Sequence, residues 1–177
     1  MDAVPPHIKP IISIAYYLGM RLGEILPLTW DRVDLERGFI KLAGRDTKTG
    51  DARLVPMTPS IHERLKELSK VRSLVTNRVF LYQGKGLGEI KTAFKTAIKR
   101  AKLHDFRFHD LRHCAATNMR RAGVDTVTAM SIVGHKSEKM HQRYNSVSEA
   151  DLLLAASKLN TLITPADFAA STKIVNH

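Results

Sequence analysis

His109-Asp110-Leu111-Arg112-His113 opens the stretch on which the reading of this chain turns, and the stretch continues through an apolar-patterned run to Val133-Gly134-His135 and then to Tyr144. Asp110 suits an N-cap, so a helix is expected to start there. His109 then precedes that helix and Arg112 falls in its first turn, where both can face an anion at the positive end of the helix dipole. Gly123-Val124-Asp125-Thr126 breaks the helix, Val127 to Val133 resumes it, and Gly134 fits a C-cap, which leaves His135 in the following turn. Tyr144 comes nine residues after His135.

Working outward, the far upstream block Gly19-Met20-Arg21-Leu22-Gly23-Glu24 holds a second arginine with a carboxylate one helical turn later. Ile8, Ile11, Ile12, Ala15 and Tyr16 recur at three- and four-residue spacing and predict a buried helical face ended by Gly19. Arg21 to Leu28 is expected to form a second, short helix over Leu28 and Trp30. Phe39 to Leu42 and Arg53 to Pro56 predict two strands joined by the Gly- and Asp-rich turn 44–51, with Lys48 near its tip. Val79 to Tyr82 is a candidate third strand. A further helix starts at Thr58-Pro59-Ser60 with Ile61, Leu65 and Leu68 on one face. Lys91, Lys95, Lys99 and Lys102 form one basic edge opposite Ala93, Phe94, Ala97 and Ile98. The fold class expected is α+β: mostly helical, with a small three-stranded antiparallel sheet.

The chain has 177 residues, enough for one domain with a real core. Its 28 Lys and Arg against 17 Asp and Glu give a formal charge of +11. Such an excess favours a polyanionic partner, since each neutralised phosphate releases counterions. The single cysteine, Cys114, excludes an internal disulfide and any metal-binding cysteine cluster. Met1 to Pro6 lacks the basic and apolar regions of a signal peptide, and the most apolar run, Ile11 to Met20, is too short to cross a bilayer. A soluble, intracellular protein is the expectation, with no membrane partner.

Taken singly, each candidate residue has a plain reading. Arg21 could pair with Glu24 on the surface, Lys48 could be a solvated turn lysine, Arg112 could belong to an ordinary capped helix, and Tyr144 could be half-buried core. The lysine edge of residues 91–102 could be simply solvated. Order and spacing weigh against the plain readings. Gly-Met-Arg-x-Gly-Glu, then His-x-x-Arg-His, then Gly-His with Tyr nine residues on, resemble the catalytic domain of the tyrosine recombinases of the phage-integrase type, over about residues 8 to 160. Here Val133-Gly134-His135 stands where that family commonly has Leu-Gly-His, and Asn145-Ser146 follows the tyrosine.

The resemblance implies the roles. Arg21 and Arg112 would grip the scissile phosphate, Tyr144 would be the nucleophile, Lys48 and the histidines His109 and His135 would complete the catalytic set, and Glu24 would support Arg21. Apart from the resemblance, the excess positive charge makes Lys91, Lys95 and Lys99 candidates to follow a DNA backbone, although a solvated face is the usual explanation of such a stripe. No metal and no other cofactor is implied. The partner implied is double-stranded DNA at specific recombination sites, with tetrameric self-association through a C-terminal helix at about 148–160. The expected layout is a catalytic domain at 1–163, a loose tail at 164–177 and a missing N-terminal DNA-binding domain. The setting implied is the cytoplasm and nucleoid of a bacterial or phage-infected cell. A metal-dependent nuclease is the first rival, but it would need clustered carboxylates, and the acidic residues are scattered. A type IB topoisomerase-like enzyme and a catalytically inactive DNA-binding module are the others.

Overall fold

The computed structural model describes residues 4–47, 50–135 and 149–162, and the chain forms two compact units, Met1–Tyr144 and Asn145–His177. Lys48, His141, Tyr144 and the expected tail at 164–177 lie outside the described residues. In chain order the elements are α1 (Lys9–Leu18), α2 (Leu22–Ile25), β1 (Val33–Asp34), β2 (Phe39–Leu42), β3 (Arg53–Pro56), α3 (Pro59–Ser69), β4 (Leu81–Tyr82), β5 (Lys85–Gly86), α4 (Lys91–Arg100), α5 (Phe108–Arg121), α6 (Thr126–Val133) and, in the second unit, α7 (Glu149–Leu162).

Helix α1 is the centre of the first unit. Ile8, Ile11, Ile12 and Ala15 are buried as their spacing predicts, and Ile14 and Leu18 are buried too, because α5 and α3 both pack against α1. Gly19 ends the helix in the left-handed region at φ 68°, its N–H bonded to Ala15 O at 3.1 Å. A Cβ there would lie 2.7 Å from Val133 Cγ1 and 3.3 Å from Ala115 Cβ, so the missing side chain is what lets the end of α1 meet α5 and α6. Gly19→Ala is expected to cost about 3 kcal/mol, from left-handed strain and overpacking together, read as a lower urea midpoint at unchanged m.

The sheet is antiparallel in the order β1-β2-β3, with Ile40 opposite Val55 and Leu42 opposite Arg53. Ile40, Leu42 and Val55 face the core while Lys41 and Leu54 face solvent, which is the period-two pattern of a half-buried sheet. Its third strand is β1, not the Val79–Tyr82 segment. Asp34 sets up the β1–β2 turn by accepting the Arg37 N–H at 3.0 Å on its side chain and the Gly38 N–H at 2.9 Å on its carbonyl. Val79 and Phe80 are core residues instead, and Val79 N–H reaches Leu28 O at 2.9 Å. Leu81–Tyr82 then pairs with Lys85–Gly86 across a two-residue turn in which Gln83 and Gly84 both have positive φ.

Two expected boundaries move. Helix α2 is a single turn, with Arg21 extended as its N-cap and Pro27 lacking the N–H that would continue the ladder. Helix α5 starts at Phe108, so Asp110 is its third residue and not its N-cap. Its carboxylate reaches back to the Arg107 N–H at 2.6 Å. His109 therefore lies inside the helix and Arg112 in its second turn.

Candidate active site

Glu24 is the carboxylate around which the first half of the site is built. Its Oε2 accepts the Arg21 backbone N–H at 2.9 Å, which closes the N-terminus of α2, and its Oε1 accepts Arg21 Nη1 at 3.0 Å. The same carboxylate receives two bonds from Arg53 on β3, Nη1 to Oε1 at 3.1 Å and Nη2 to Oε2 at 2.7 Å. Burial pushes the Glu24 carboxyl up, but the hydrogen bonds and charge of Arg53, with the Arg21 contacts, outweigh it and hold the group below the ordinary carboxylate value. Glu24 is therefore a buried anion at neutral pH. Sequence reasoning did not single out Arg53. An arginine at the head of a strand looks solvated, and its partner lies 29 residues away.

The second half is the C-terminus of α6. Asp125 caps the start of this helix by accepting the Thr128 N–H at 2.9 Å, and Gly134 ends it at φ 72°. Its last carbonyls would otherwise be unpaired and carry the negative end of the helix dipole. Three arginines from three elements take them up. Arg53 Nε donates to Ile132 O at 3.1 Å, Arg112 Nη1 donates to Val133 O, and Gly134 O accepts Arg21 Nη2 at 3.0 Å and Arg112 Nη2 at 3.3 Å. Arg112 Nη1 also donates to Gly19 O at 2.7 Å. Arg112 was expected to point along α5 at an anion. Its guanidinium instead crosses to α6 and Gly19, leaving the residue 2% exposed, whereas the Arg21 side chain keeps 17%.

His135 follows Gly134 directly, its backbone N–H bonded to Met130 O at 3.0 Å, and is buried. Beside it a cleft of about 410 Å³ is lined by Asp51, Arg53, Gly134 and His135 among others. His109 and His113, one turn apart on α5, meet edge to face at 4.8 Å between ring centroids. The site thus brings together Arg21, Glu24, Arg112 and His135, from all three sequence blocks, while the imidazole of His109 is exposed one turn before Arg112.

Desolvation and the charges of His113, Arg112 and Arg21 hold the His109 pKa below its ordinary 6.5, with Asp110 opposing. At pH 7 His109 is a neutral imidazole able to accept a proton. The unfolded chain takes up that proton at a higher pH than the folded one, so acidification through 6.5 and below costs stability, and protonation of Glu24 costs more at lower pH still. The expected result is a melting temperature that falls from pH 7 to pH 5. His109→Gln should reduce the slope in the upper part of that window and leave the carboxylate part in place.

Compared with known proteins, residues 2–151 match the model of the phage integrase family. The chain belongs to the phage integrase family. Among its relatives, the shufflon-specific DNA recombinase of Escherichia coli is 34% identical over 135 residues, which are 76% of this chain and 33% of that protein. Tyrosine recombinase XerD of Staphylococcus saprophyticus is 29% identical over 154 residues, 81% of this chain and 51% of that protein. This chain therefore spans from a third to a half of the length of these two phage-integrase relatives. Among solved structures, the integrase of transposon Tn1549, in complex with circular intermediate DNA, superposes with a TM-score of 0.68 at 21% identity, covering 85% of this chain and 57% of that one, a likeness of fold.

Of the remaining expectations for a phage-integrase domain, Lys91, Lys95 and Lys99 are exposed along α4 as one edge, with Ala97 buried opposite. Thr47, at the edge of the hairpin turn, is buried and donates its hydroxyl to Gly44 O and Asp51 O, each at 3.0 Å. Among the described residues no group of three or more His, Cys, Asp and Glu side chains is arranged to hold a metal ion, and no helix is long and apolar enough to cross a membrane.

Proposed function

We propose that this chain is the catalytic domain of a site-specific DNA recombinase, cleaving and rejoining DNA through a 3′-phosphotyrosyl intermediate. One observation carries the reading. Arg21 and Arg112, 91 residues apart in sequence, donate to the same carbonyl oxygen, Gly134 O, one residue before His135. The Arg21 guanidinium, with the buried charge of Arg112 behind it and imidazoles nearby, forms a basic, hydrogen-bond-donating wall suited to a tetrahedral phosphate.

In the proposed reaction Tyr144 Oη forms a bond to phosphorus as the P–O5′ bond breaks. The phenolic proton passes to His109, and the departing 5′-oxygen receives a proton from Lys48. Arg21, backed by Arg112, balances charge growing on the non-bridging oxygens, and His135 donates a further hydrogen bond. A 5′-hydroxyl from another strand then attacks the phosphotyrosyl ester and expels the phenol, so the bond energy is kept and no ATP is consumed. Proton transfers of this kind contribute about 10²–10⁴-fold. Exposed Lys91, Lys95 and Lys99 add backbone contacts, and exposed Leu152 and Leu153 on α7 suit the joining of neighbouring copies into a tetramer on DNA.

The test mixes the protein with nicked duplexes spanning the ends of the element that encodes it, in EDTA. An SDS-stable protein–DNA adduct whose linked peptide contains Tyr144 is expected. Cleavage that requires a divalent cation and leaves no adduct would put a metal nuclease in its place. Binding without cleavage would leave an inactive DNA-binding module.

A further inference from the structure

We propose that Arg53 is a positioning residue of the phosphate site: it takes up the charge of Glu24 so that Glu24 orients Arg21 without neutralising it. This rests on the recombinase reading above. A carboxylate bonded to an arginine alone would form a closed pair with it, and the arginine would be lost to an incoming phosphate. Here the two-pronged partner of Glu24 is Arg53, at 2.7 and 3.1 Å, in the geometry in which a guanidinium and a carboxylate match best. Arg21 gives the same carboxylate one side-chain bond at 3.0 Å and spends its other terminal nitrogen on Gly134 O. Exposure follows the same division. The Glu24 side chain is 2% exposed, that of Arg53 7% and that of Arg21 17%, so the inner pair is sealed and the outer guanidinium meets solvent.

Arg53 also reaches the other half of the site. Its Nε holds Ile132 O at 3.1 Å, and a Cβ on Gly134 would fall 2.9 Å from its Nη1, so the guanidinium lies flat against the last turn of α6. One side chain thus sets both the charge available at Arg21 and the place of the carbonyl that Arg21 and Arg112 share. Lysine in its place would keep the charge but offer neither the two-pronged bond nor the third contact.

The test compares single-turnover adduct formation on two nicked duplexes, one with an ordinary scissile phosphate and one with a methylphosphonate, which lacks the charge that Arg21 offsets. Arg53→Lys and Arg53→Ala are expected to slow the ordinary substrate by about 10-fold and about 100-fold, the second being the scale of a misplaced reacting group. Both deficits should shrink to about threefold on the methylphosphonate. Adding Glu24→Gln to Arg53→Ala should restore at least about 10-fold on the ordinary substrate, since the uncompensated carboxylate is gone. Equal slowing on both substrates, with no recovery in the double variant, would make Arg53 a packing residue only and overturn the proposal. Arg53→Lys serves if the alanine variant does not fold, and circular dichroism reports which variants do. An unmodified protein that forms no adduct on either substrate would remove the recombinase reading and this proposal with it. Slow variants of an active protein bear on Arg53 alone.

Discussion

Arg112→Ala is expected to abolish adduct formation, by at least about 10³-fold, while a native gel still shows weak DNA binding. Two losses add. The proposed chemistry loses the guanidinium behind Arg21, and the fold loses the donor to Gly19 O, Val133 O and Gly134 O. Gly134 O keeps its bond from Arg21, whereas Gly19 O and Val133 O lose the Arg112 donor at about 1–3 kcal/mol each. A total of about 4 kcal/mol would lower the melting temperature by about 10 °C. Arg112→Lys separates the two losses: it keeps a positive charge but not the fork that reaches three carbonyls, so it should recover little of either. Near-normal cleavage by Arg112→Ala would remove this residue from the phosphate site.

Tyr144→Phe should remove the adduct altogether, at least about 10⁴-fold, with binding changed less than about twofold. Phenylalanine keeps the ring and discards only the oxygen that would bond to phosphorus. The phenol ordinarily titrates near 10, so at neutral pH it depends on proton removal and on guanidiniums that stabilise the charged transition state. The chain has three other tyrosines as internal controls. Tyr16 is half-buried in α1, and Tyr17 and Tyr82 are exposed. An adduct that survives Tyr144→Phe and maps to one of them would move the nucleophile and dismantle the assignment based on the Gly-His…Tyr block.

The elements that could be read from sequence were those whose causes are local. Strands β2 and β3 show in their alternation, and the ends of α1 and α6 in Gly19 and Gly134. Strand β1 has two residues, too few to show a period, and its pairing depends on the turn that Asp34 organises. Val79 and Phe80 have a strand's composition but are used as core, a choice made by packing against residues some fifty positions earlier. In the site, spacing and resemblance pointed to Arg21, Glu24, Arg112 and His135, and the structure brings these four together. Spacing could not tell that Arg112 is buried, nor that Arg53 belongs with Glu24. Both facts depend on contacts across 93 and 29 residues of chain.

The longest-range contacts of the site join positions 113, 93 and 79 residues apart, and these end at Gly19 or at Ile132 to Gly134. Closing such long loops is entropically expensive until most of the core has formed. During synthesis a chain folds from its N-terminal side. Helix α1, the hairpin and α3 therefore emerge from the ribosome well before α6 does. Until α6 emerges, Arg21, Arg53 and Arg112 have no common anchor. A copy that ends before α6 lacks the carbonyls of Ile132, Val133 and Gly134 that gather the three arginines.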